Sequence, residues 1–408
     1  MRRASGGVRD PLMLSACRRC PQIVAGTGIR RGRGADRWGM TNPGSSIFPA
    51  WHADPRLPTD RPFTAAQARH LGVDGNVLAR LVRQGLLRRV LHGVYVDACV
   101  PDSIDERARA LALAVPEAAV ITDATAAWLY GVDLFPGGSM GPMPRVQYFR
   151  HPDHTRVRRK QVQGGRRMLD DADLVSIGPV LVTSPLRTAC DLGRSLRREK
   201  ALAGLDALLR LGGFTAAELD AQLRRFRGRR GVVQLRELVP LADGRAESVR
   251  ESELRLLWID AGLPKPDLQI SVLHRPGREP FRLDLGDARV KYAAEYDGEE
   301  WHSTPEQIAR DAWRRELIRG EGWTIDVFGN ADLHRWSAMD RLKDGYRRAA
   351  ERAERRAAGD RSDAEAAMRA FGLPRHADSF LMSSEVAGLV RDPYGLYGVS
   401  EVSRSDRS

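Results

Sequence analysis

Residues 293–302, AAEYDGEEWH, run an apolar strand directly into a crowd of acidic side chains. Carboxylates at the end of a strand raise one another's pKa unless a positive group joins them. That group can be a metal ion or a basic side chain from elsewhere in the chain, and water can also solvate the acids. The fold therefore has to place a positive group or water at one strand end, where it offsets the repulsion among four acids: Glu295, Asp297, Glu299 and Glu300.

The charge balance of the 408 residues indicates a polyanionic partner. The formal net charge is +12, the pI is near 10.0, and most of the basic residues are arginines. Arginine pairs bidentately with phosphate, so nucleic acid is the leading partner class. A GC-rich genome that favours arginine codons would give a similar composition, and this alternative stays open.

The cysteines and the hydropathy argue against a secreted or membrane protein. Four cysteines do not make a disulfide framework in a chain of this size, and Cys17 and Cys20 have no second pair to complete a zinc site. No apolar run is long enough to cross a membrane, and the stretch before Cys17 is too short for a signal peptide. We therefore expect a cytoplasmic protein that binds no membrane.

The chain is long enough for two or three domains, and its composition divides it into five segments. Residues 1–39 are rich in Gly and Arg and too polar to bury a core, so we expect a disordered lead over residues 1–54, with Met40 as the true start. A basic arm that touches DNA is the alternative for this lead. Residues 55–100, 101–245 and 246–357 carry periodic patterns, and residues 358–408 form a tail that we expect to be partly disordered. The fold class predicted is multidomain α+β.

Two short helices and a hairpin are predicted in residues 55–100. Thr64 to Gln67 has a capping-box pattern, and Asp74 or Asn76 can cap a second helix that carries an apolar stripe. The following residues 86–96, LLRRVLHGVYV, predict a basic two-stranded hairpin. This order is typical of a winged helix, which can place its second helix in a major groove.

The winged-helix pattern, and LLRRVLHGVYV above all, resembles the amino-terminal domain of the AbiEi type IV antitoxins. This resemblance implies DNA binding and a cognate toxin protein as a possible partner. Small winged helices also mediate protein contacts, so that role stays open. Four arginines of the second helix and the hairpin are expected to contact DNA phosphates: Arg80, Arg83, Arg88 and Arg89.

Residues 101–245 alternate helical and strand-like segments and predict a mixed α/β region, which the antitoxin-like proteins also carry. Within it, Ser184 and Pro185 predict a helix start, with proline in the first turn. No catalytic constellation occurs in it. Two basic stretches, residues 154–162 and the Arg224 to Arg230 run, could contact DNA or could be solvated surface.

From Glu251 onward the sequence predicts a helix, a β-hairpin, a helix and a strand. The two hairpin strands carry Asp284 and Glu295, with the turn expected at Gly286 and Asp287. Strand alternation places Asp297 on the same face as Glu295, and Asp284 can face Glu295 across the hairpin. Two facing carboxylates suit Mg²⁺, which prefers hard oxygen ligands and retains several waters.

These residues resemble the PD-(D/E)XK nuclease superfamily, and in particular the Vsr-like (very-short-patch-repair) endonucleases. The resemblance implies a restriction-endonuclease-like α/β/α domain, a hydrolase that uses Mg²⁺ held by Asp284 and Glu295. Asp297 stands where the superfamily has its usual lysine, and the resemblance makes His302 the substitute proton carrier. The residues implied as catalytic are Glu251, Asp284, Glu295, Asp297 and His302, with Asp311 and Trp323 supporting them and Arg314 and Arg315 on the DNA.

Each of these residues also has an ordinary structural interpretation. Glu251 can be a helix N-terminal acid favoured by the dipole, and His302 can cap the edge of a core. Asp311 and Arg315 have the spacing of a surface ion pair on a helix. Acids within apolar strands need compensation, so the metal interpretation is favoured for Asp284 with Glu295.

Two functions follow from the sequence. The first is a DNA-binding protein with a Mg²⁺-dependent endonuclease domain, in phage defence or DNA repair. The alternative is a non-enzymatic DNA-binding transcriptional regulator or antitoxin that retains a nuclease-like fold. A toxin or defence component that acts on a partner's RNA is a third possibility.

Overall fold

The computed structural model describes residues 54–134, 145–149, 162–163, 167, 169–272, 280–298 and 305–370. The chain forms two compact units, and the boundary between them falls after Glu253, inside a helix. The expectations for most of the lead, for Met40, for the basic residues 154–160, for His302 and for the tail beyond residue 370 lie outside the described residues.

The first unit begins with a small winged-helix arrangement. Helix α1 starts at the predicted capping box, in which Thr64 accepts from the Gln67 amide and Gln67 accepts from the Thr64 amide. Asp74 caps α2 by accepting from the amides of Asn76 and Val77. The elements are β1 (Phe63–Thr64), α1 (Ala65–His70), α2 (Gly75–Arg83), β2 (Leu87–Leu91) and β3 (Val94–Asp97), and β3 pairs antiparallel between β1 and β2.

A compact apolar cluster holds the winged helix together. Phe63 of β1, Leu78 and Leu81 of α2, and Leu87 of β2 are all buried in it. Because the apolar stripe of α2 points into this cluster, the opposite side of the helix faces solvent. The hairpin predicted at LLRRVLHGVYV is confirmed as β2 and β3.

The rest of the first unit is a mixed five-stranded sheet with helices, in the strand order β6-β5-β4-β8-β7. Pro185 at the first position of α5 and the Ser184 side chain that accepts from the Arg187 amide confirm the helix start predicted there. The strands are β4 (Val120–Ile121), β5 (Val146–Phe149), β6 (Val162–Gln163), β7 (Leu174–Ile177) and β8 (Val180–Thr183). The helices are α3 (Ile104–Ala114), α4 (Asp123–Leu129), α5 (Pro185–Ser195), α6 (Arg198–Arg210), α7 (Ala216–Gln222) and α8 (Val232–Leu238).

The second unit is a four-stranded sheet between helices. Strands β9, β10 and β11 are antiparallel in sequence order, and α10 crosses over so that β12 pairs parallel to β11. The unit boundary falls within α9, whose later residues belong here. The elements are α9 (Val249–Asp260), β9 (Asp267–Val272), β10 (Phe281–Asp287), β11 (Tyr292–Tyr296), α10 (Pro305–Gly320), β12 (Thr324–Phe328) and α11 (Arg335–Ala370).

The two faces of this sheet bury different helices. On one face Trp258 of α9 stacks on Tyr292 at 5.3 Å between ring centroids, and Tyr346 of α11 meets both rings edge-on. On the other face Ile318 of α10 packs with Ala293 in an apolar cluster. The result is an α/β/α layer arrangement.

The sequence prediction for the second unit needs two corrections. Strand β9 was not predicted, and it pairs along most of β10. The hairpin turn was expected at Gly286 and Asp287, but both residues belong to β10 and the turn follows them. Gly286 serves close strand packing instead: a Cβ there would lie 2.3 Å from the Tyr292 carbonyl oxygen. None of the described helices has an apolar stretch long enough to span a bilayer.

Candidate DNA-binding surface and acidic pocket

Helix α2 presents two arginines to solvent. Arg80 and Arg83 lie in its last turn, on the side opposite the buried Leu78 and Leu81. Within the described part of the chain, no acidic side chain lies within ion-pair distance of either guanidinium. Two exposed charges without acid partners on the second helix of a winged helix can contact phosphates.

Arg88 has a different environment from Arg80 and Arg83, and its role as a DNA contact stays a prediction. Its side chain is only 10% exposed, with Nη2 3.5 Å from Glu106 Oε2 and Nη1 3.8 Å from Asp102 Oδ1. Burial raises the pKa of Glu106, and the positive charge of Arg88 opposes that rise. The charge of Arg88 therefore compensates the buried Glu106, and the half-buried Asp102 beside it, because an unpaired buried carboxylate is costly.

Arg89 lies beside His92. The sequence placed His92 in the turn of the hairpin and gave it no other role. Arg89 is partly buried, and its Nη2 is 2.7 Å from Nδ1 of the exposed His92 at the tip of the β2–β3 wing. The wing therefore carries a basic pair whose members support each other's orientation.

An acidic pocket of about 170 Å³ lies in the second unit. It is formed where β10 and β11 carry acidic residues toward the middle of α10. Three acids expected to be catalytic and two arginines expected to contact DNA all line it. The lining residues are Asp284, Glu295, Tyr296, Asp297, Asp311, Arg314 and Arg315.

Basic side chains compensate the acids of this pocket. Glu295 is only 6% exposed, and Arg314 pairs with both of its oxygens, Nη2 to Oε1 at 2.7 Å and Nη1 to Oε2 at 3.2 Å. Arg315 Nη2 lies 2.5 Å from Asp297 Oδ2, and Asp284 Oδ2 accepts from the Tyr296 amide at 2.9 Å. Two of the three acids thus have arginine partners, and the third accepts from a backbone amide.

The remaining predicted residues fall into other environments. Trp323 is buried in the apolar cluster with Ile318, so its position is that of a core residue. Glu251 lies in the first turn of α9, where it accepts from the Glu247 amide and its own amide donates to Ser248 Oγ. This local capping accounts for Glu251, and we leave it out of the candidate pocket.

The donor chemistry of the pocket suits a hard divalent cation only in part. Asp284 and Glu295 supply carboxylate oxygens, which are the ligands that such a cation prefers. Arg314 nevertheless occupies one site on each oxygen of Glu295. Over the ranges that the structure describes, no group of three or more His, Cys, Asp or Glu residues is arranged as a metal site.

Comparison with known proteins agrees with the organisation of the first unit. A family model described as "Transcriptional regulator, AbiEi antitoxin" matches residues 60–96, which include all of α1 through the wing up to Val96. A second, "AbiEi antitoxin C-terminal domain", matches residues 117–241. The first unit thus carries two AbiEi antitoxin-like domains, and these support a DNA-binding regulator role.

Two curated relatives come from Mycobacterium tuberculosis: "Uncharacterized protein MT2308" of strain CDC 1551 / Oshkosh and "Uncharacterized protein Rv2248" of strain ATCC 25618 / H37Rv. Each is 41% identical over 253 residues, which is 60% of this chain and 86% of the relative. The chain belongs to the family of these mycobacterial proteins. Both matched family models end before the second unit, so its resemblance to nucleases stays a prediction.

Proposed function

We propose that this protein is a DNA-binding regulator of the AbiEi antitoxin type, which places α2 in the major groove of duplex DNA. The observation that carries the proposal is the exposure of Arg80 and Arg83 in the last turn of α2, with no carboxylate of the described residues within ion-pair distance of either. The wing carries Arg89 and His92 beside it in sequence. The match of residues 117–241 to an antitoxin domain also supports a cognate toxin protein as a partner.

Titration of a labelled duplex with full-length protein, followed by fluorescence anisotropy, tests the DNA-binding proposal. Each lost phosphate contact removes about 0.9 from the salt slope, so the double variant Arg80→Gln/Arg83→Gln should bind about 10- to 100-fold more weakly at moderate salt. The control Arg355→Gln/Arg361→Gln removes the same charge from exposed positions of α11. Equal losses in the two variants would show that only net charge matters and would refute the assignment of α2.

A second candidate function is Mg²⁺-dependent phosphodiester cleavage by the second unit. The convergence of Asp284, Glu295 and Asp297 on one pocket with two arginines favours it. Asp284 and Glu295 would hold the cation, which when bound supplies charge neutralisation and an activated water. Arg315, whose partner Asp297 is 52% exposed, would turn toward a phosphate as the substrate binds, and that exchange would free an oxygen of Asp297.

Incubation of supercoiled plasmid with the protein and Mg²⁺ distinguishes an endonuclease from a non-enzymatic regulator. We expect nicking by the wild type and none by Asp284→Asn, which keeps the side chain's shape and its acceptor for the Tyr296 amide. Asp340→Asn, at an exposed position of α11, is the matched control and should cleave normally. A wild type that binds DNA but leaves the plasmid intact would favour the non-enzymatic regulator, and cleavage by Asp284→Asn would refute the pocket as the active site.

A further inference from the structure

We propose that the loop between α7 and α8, residues 224–231, is a second phosphate-binding surface for nucleic acid, separate from the winged helix. This proposal depends on the proposed function in one respect, namely that the protein binds duplex DNA. The sequence places six arginines and no acid between Asp220 and Glu237. Five of them lie in the loop and are exposed, and four of these five form the proposed surface: Arg224, Arg227, Arg229 and Arg230.

These four arginines differ in their surroundings from the other arginine of the loop. Among the residues that the structure describes, none of their guanidinium groups lies within ion-pair distance of a carboxylate. The fifth arginine of the loop, Arg225, contrasts with them, since it binds Asp170 at 2.6 Å and Asp173 at 2.8 Å. The loop therefore uses one arginine for attachment and directs four toward solvent.

The carboxyl end of the loop is held by close backbone packing. Gly231 has φ +79°, and a Cβ there would lie 2.0 Å from the carbonyl oxygen of Arg194. Arg194 Nη1 in turn donates to the Arg230 carbonyl oxygen at 3.2 Å, and Gln234 Nε2 donates to the carbonyls of Gly193 and Leu196. Only glycine permits this approach of the loop to the end of α5.

An aromatic side chain holds the middle of the loop. Phe226 is 5% exposed, and the guanidinium carbons of Arg194 and Arg187 lie 4.5 and 5.5 Å from its ring centroid. Arg187 and Arg194 are themselves fixed by Asp191, at 2.8 and 2.6 Å. A buried ion-pair network thus supports the loop, and its exposed arginines are displayed from an ordered backbone.

These features fit a phosphate backbone better than a protein surface. Guanidinium groups pair bidentately with phosphate oxygens, and a preordered loop loses less conformational entropy on binding. Protein interfaces depend on apolar or aromatic anchors at their centre. The only aromatic residue of the loop, Phe226, is turned inward, so the exposed side offers charge and hydrogen-bond donors.

The test compares two quadruple variants of the full chain by DNA-binding titrations over a range of salt concentrations. One replaces Arg224, Arg227, Arg229 and Arg230 with Gln, and the other replaces the same four with Lys. The probe is a labelled duplex of arbitrary sequence, and Arg80→Gln/Arg83→Gln is titrated alongside. Because all four positions are exposed, both variants should keep the wild-type melting temperature.

We expect the Gln variant to lower the salt slope by about 2 to 4 and the affinity by roughly 10²-fold at moderate salt, because each phosphate contact contributes about 0.9 to the slope. The Lys variant should keep most of the slope, since it keeps the charge. A Gln variant with wild-type affinity and slope would overturn the proposal and leave the loop to an acidic protein partner. Weaker binding with an unchanged slope would overturn it as well. If the DNA-binding proposal itself is wrong, the result is different, because the wild-type protein then does not bind the labelled duplex.

Discussion

Arg314 of α10 and Glu295 of β11 form a two-point ion pair in the acidic pocket, with Nη2 to Oε1 at 2.7 Å and Nη1 to Oε2 at 3.2 Å. Arg314 also donates to the carbonyl oxygen of Arg282 on β10. One side chain of the crossover helix thus compensates a buried acid and joins the two central strands. The next residue, Arg315, pairs with the more exposed Asp297.

Arg314→Gln should destabilise the second unit by about 3 kcal/mol, because it leaves a buried carboxylate without its partner. Arg315→Gln is the matched control at the adjacent position. Its partner Asp297 is 52% exposed, so we expect a change within about 1 kcal/mol. Urea unfolding followed by tryptophan fluorescence measures both. Similar losses for the two variants would contradict the structural role assigned to Arg314.

Arg88→Gln should lower stability without a selective loss of DNA binding. Removing this guanidinium leaves Glu106 buried without its main positive neighbour, at a cost of about 3 kcal/mol. In a Glu106→Gln background the same substitution should cost much less, which a double-mutant cycle measures. If Arg88→Gln instead weakened DNA binding as much as Arg80→Gln and left the melting temperature unchanged, Arg88 would be a DNA contact after all.

Glu106→Gln should stabilise the first unit at neutral pH. Burial raises the pKa of Glu106 above its ordinary value of 4.5, against the opposing charge of Arg88. The folded state therefore retains a proton that the unfolded chain has released, and the free energy of unfolding falls as pH rises above 4.5. The gain in melting temperature should shrink as pH falls toward that value. Glu117→Gln, at an exposed position, should show no such trend.

Two glycines of the loop between α7 and α8, residues 224–231, allow a matched comparison of stability. Gly228 has φ +73° and open space within 4 Å of where a Cβ would lie, whereas a Cβ at Gly231 would meet the Arg194 carbonyl oxygen. Gly228→Ala should cost about 1 kcal/mol for the left-handed backbone alone. Gly231→Ala should cost at least about 2 kcal/mol more, because the loop must also move. Equal melting temperatures for the two variants would contradict the close packing of the loop on α5.

Local sequence signals predicted the helix starts and the wing well. The capping box at Thr64, the cap at Asp74 and Pro185 at the start of α5 each depend on a few neighbouring residues, and all are confirmed. The turn predicted at Gly286 was wrong because glycine there serves contact with a neighbouring strand. Such a contact depends on the fold, and a sequence window does not contain it.

The sequence predicted which residues group at the candidate sites, but it did not predict which acid pairs with which arginine. The acids Asp284, Glu295 and Asp297 do line one pocket, as their strand positions suggested. Their arginine partners come from a helix about twenty residues later in the chain, and the pairing of Arg88 with Glu106 joins two different elements. Neither follows from periodicity, because a side chain's partner is decided by tertiary packing.

Site-specific photo-crosslinking tests most directly whether α2 lies against DNA, on which the proposed function depends. p-Benzoylphenylalanine placed at Ala79, exposed between Leu78 and Arg80, should cross-link to a bound duplex on irradiation. The same group placed at Ala118, an exposed position between α3 and β4 and outside the winged helix, should not. Both proteins are first shown to bind the duplex with wild-type affinity. A cross-link at Ala118 with none at Ala79 would contradict the claim that this winged helix docks on DNA.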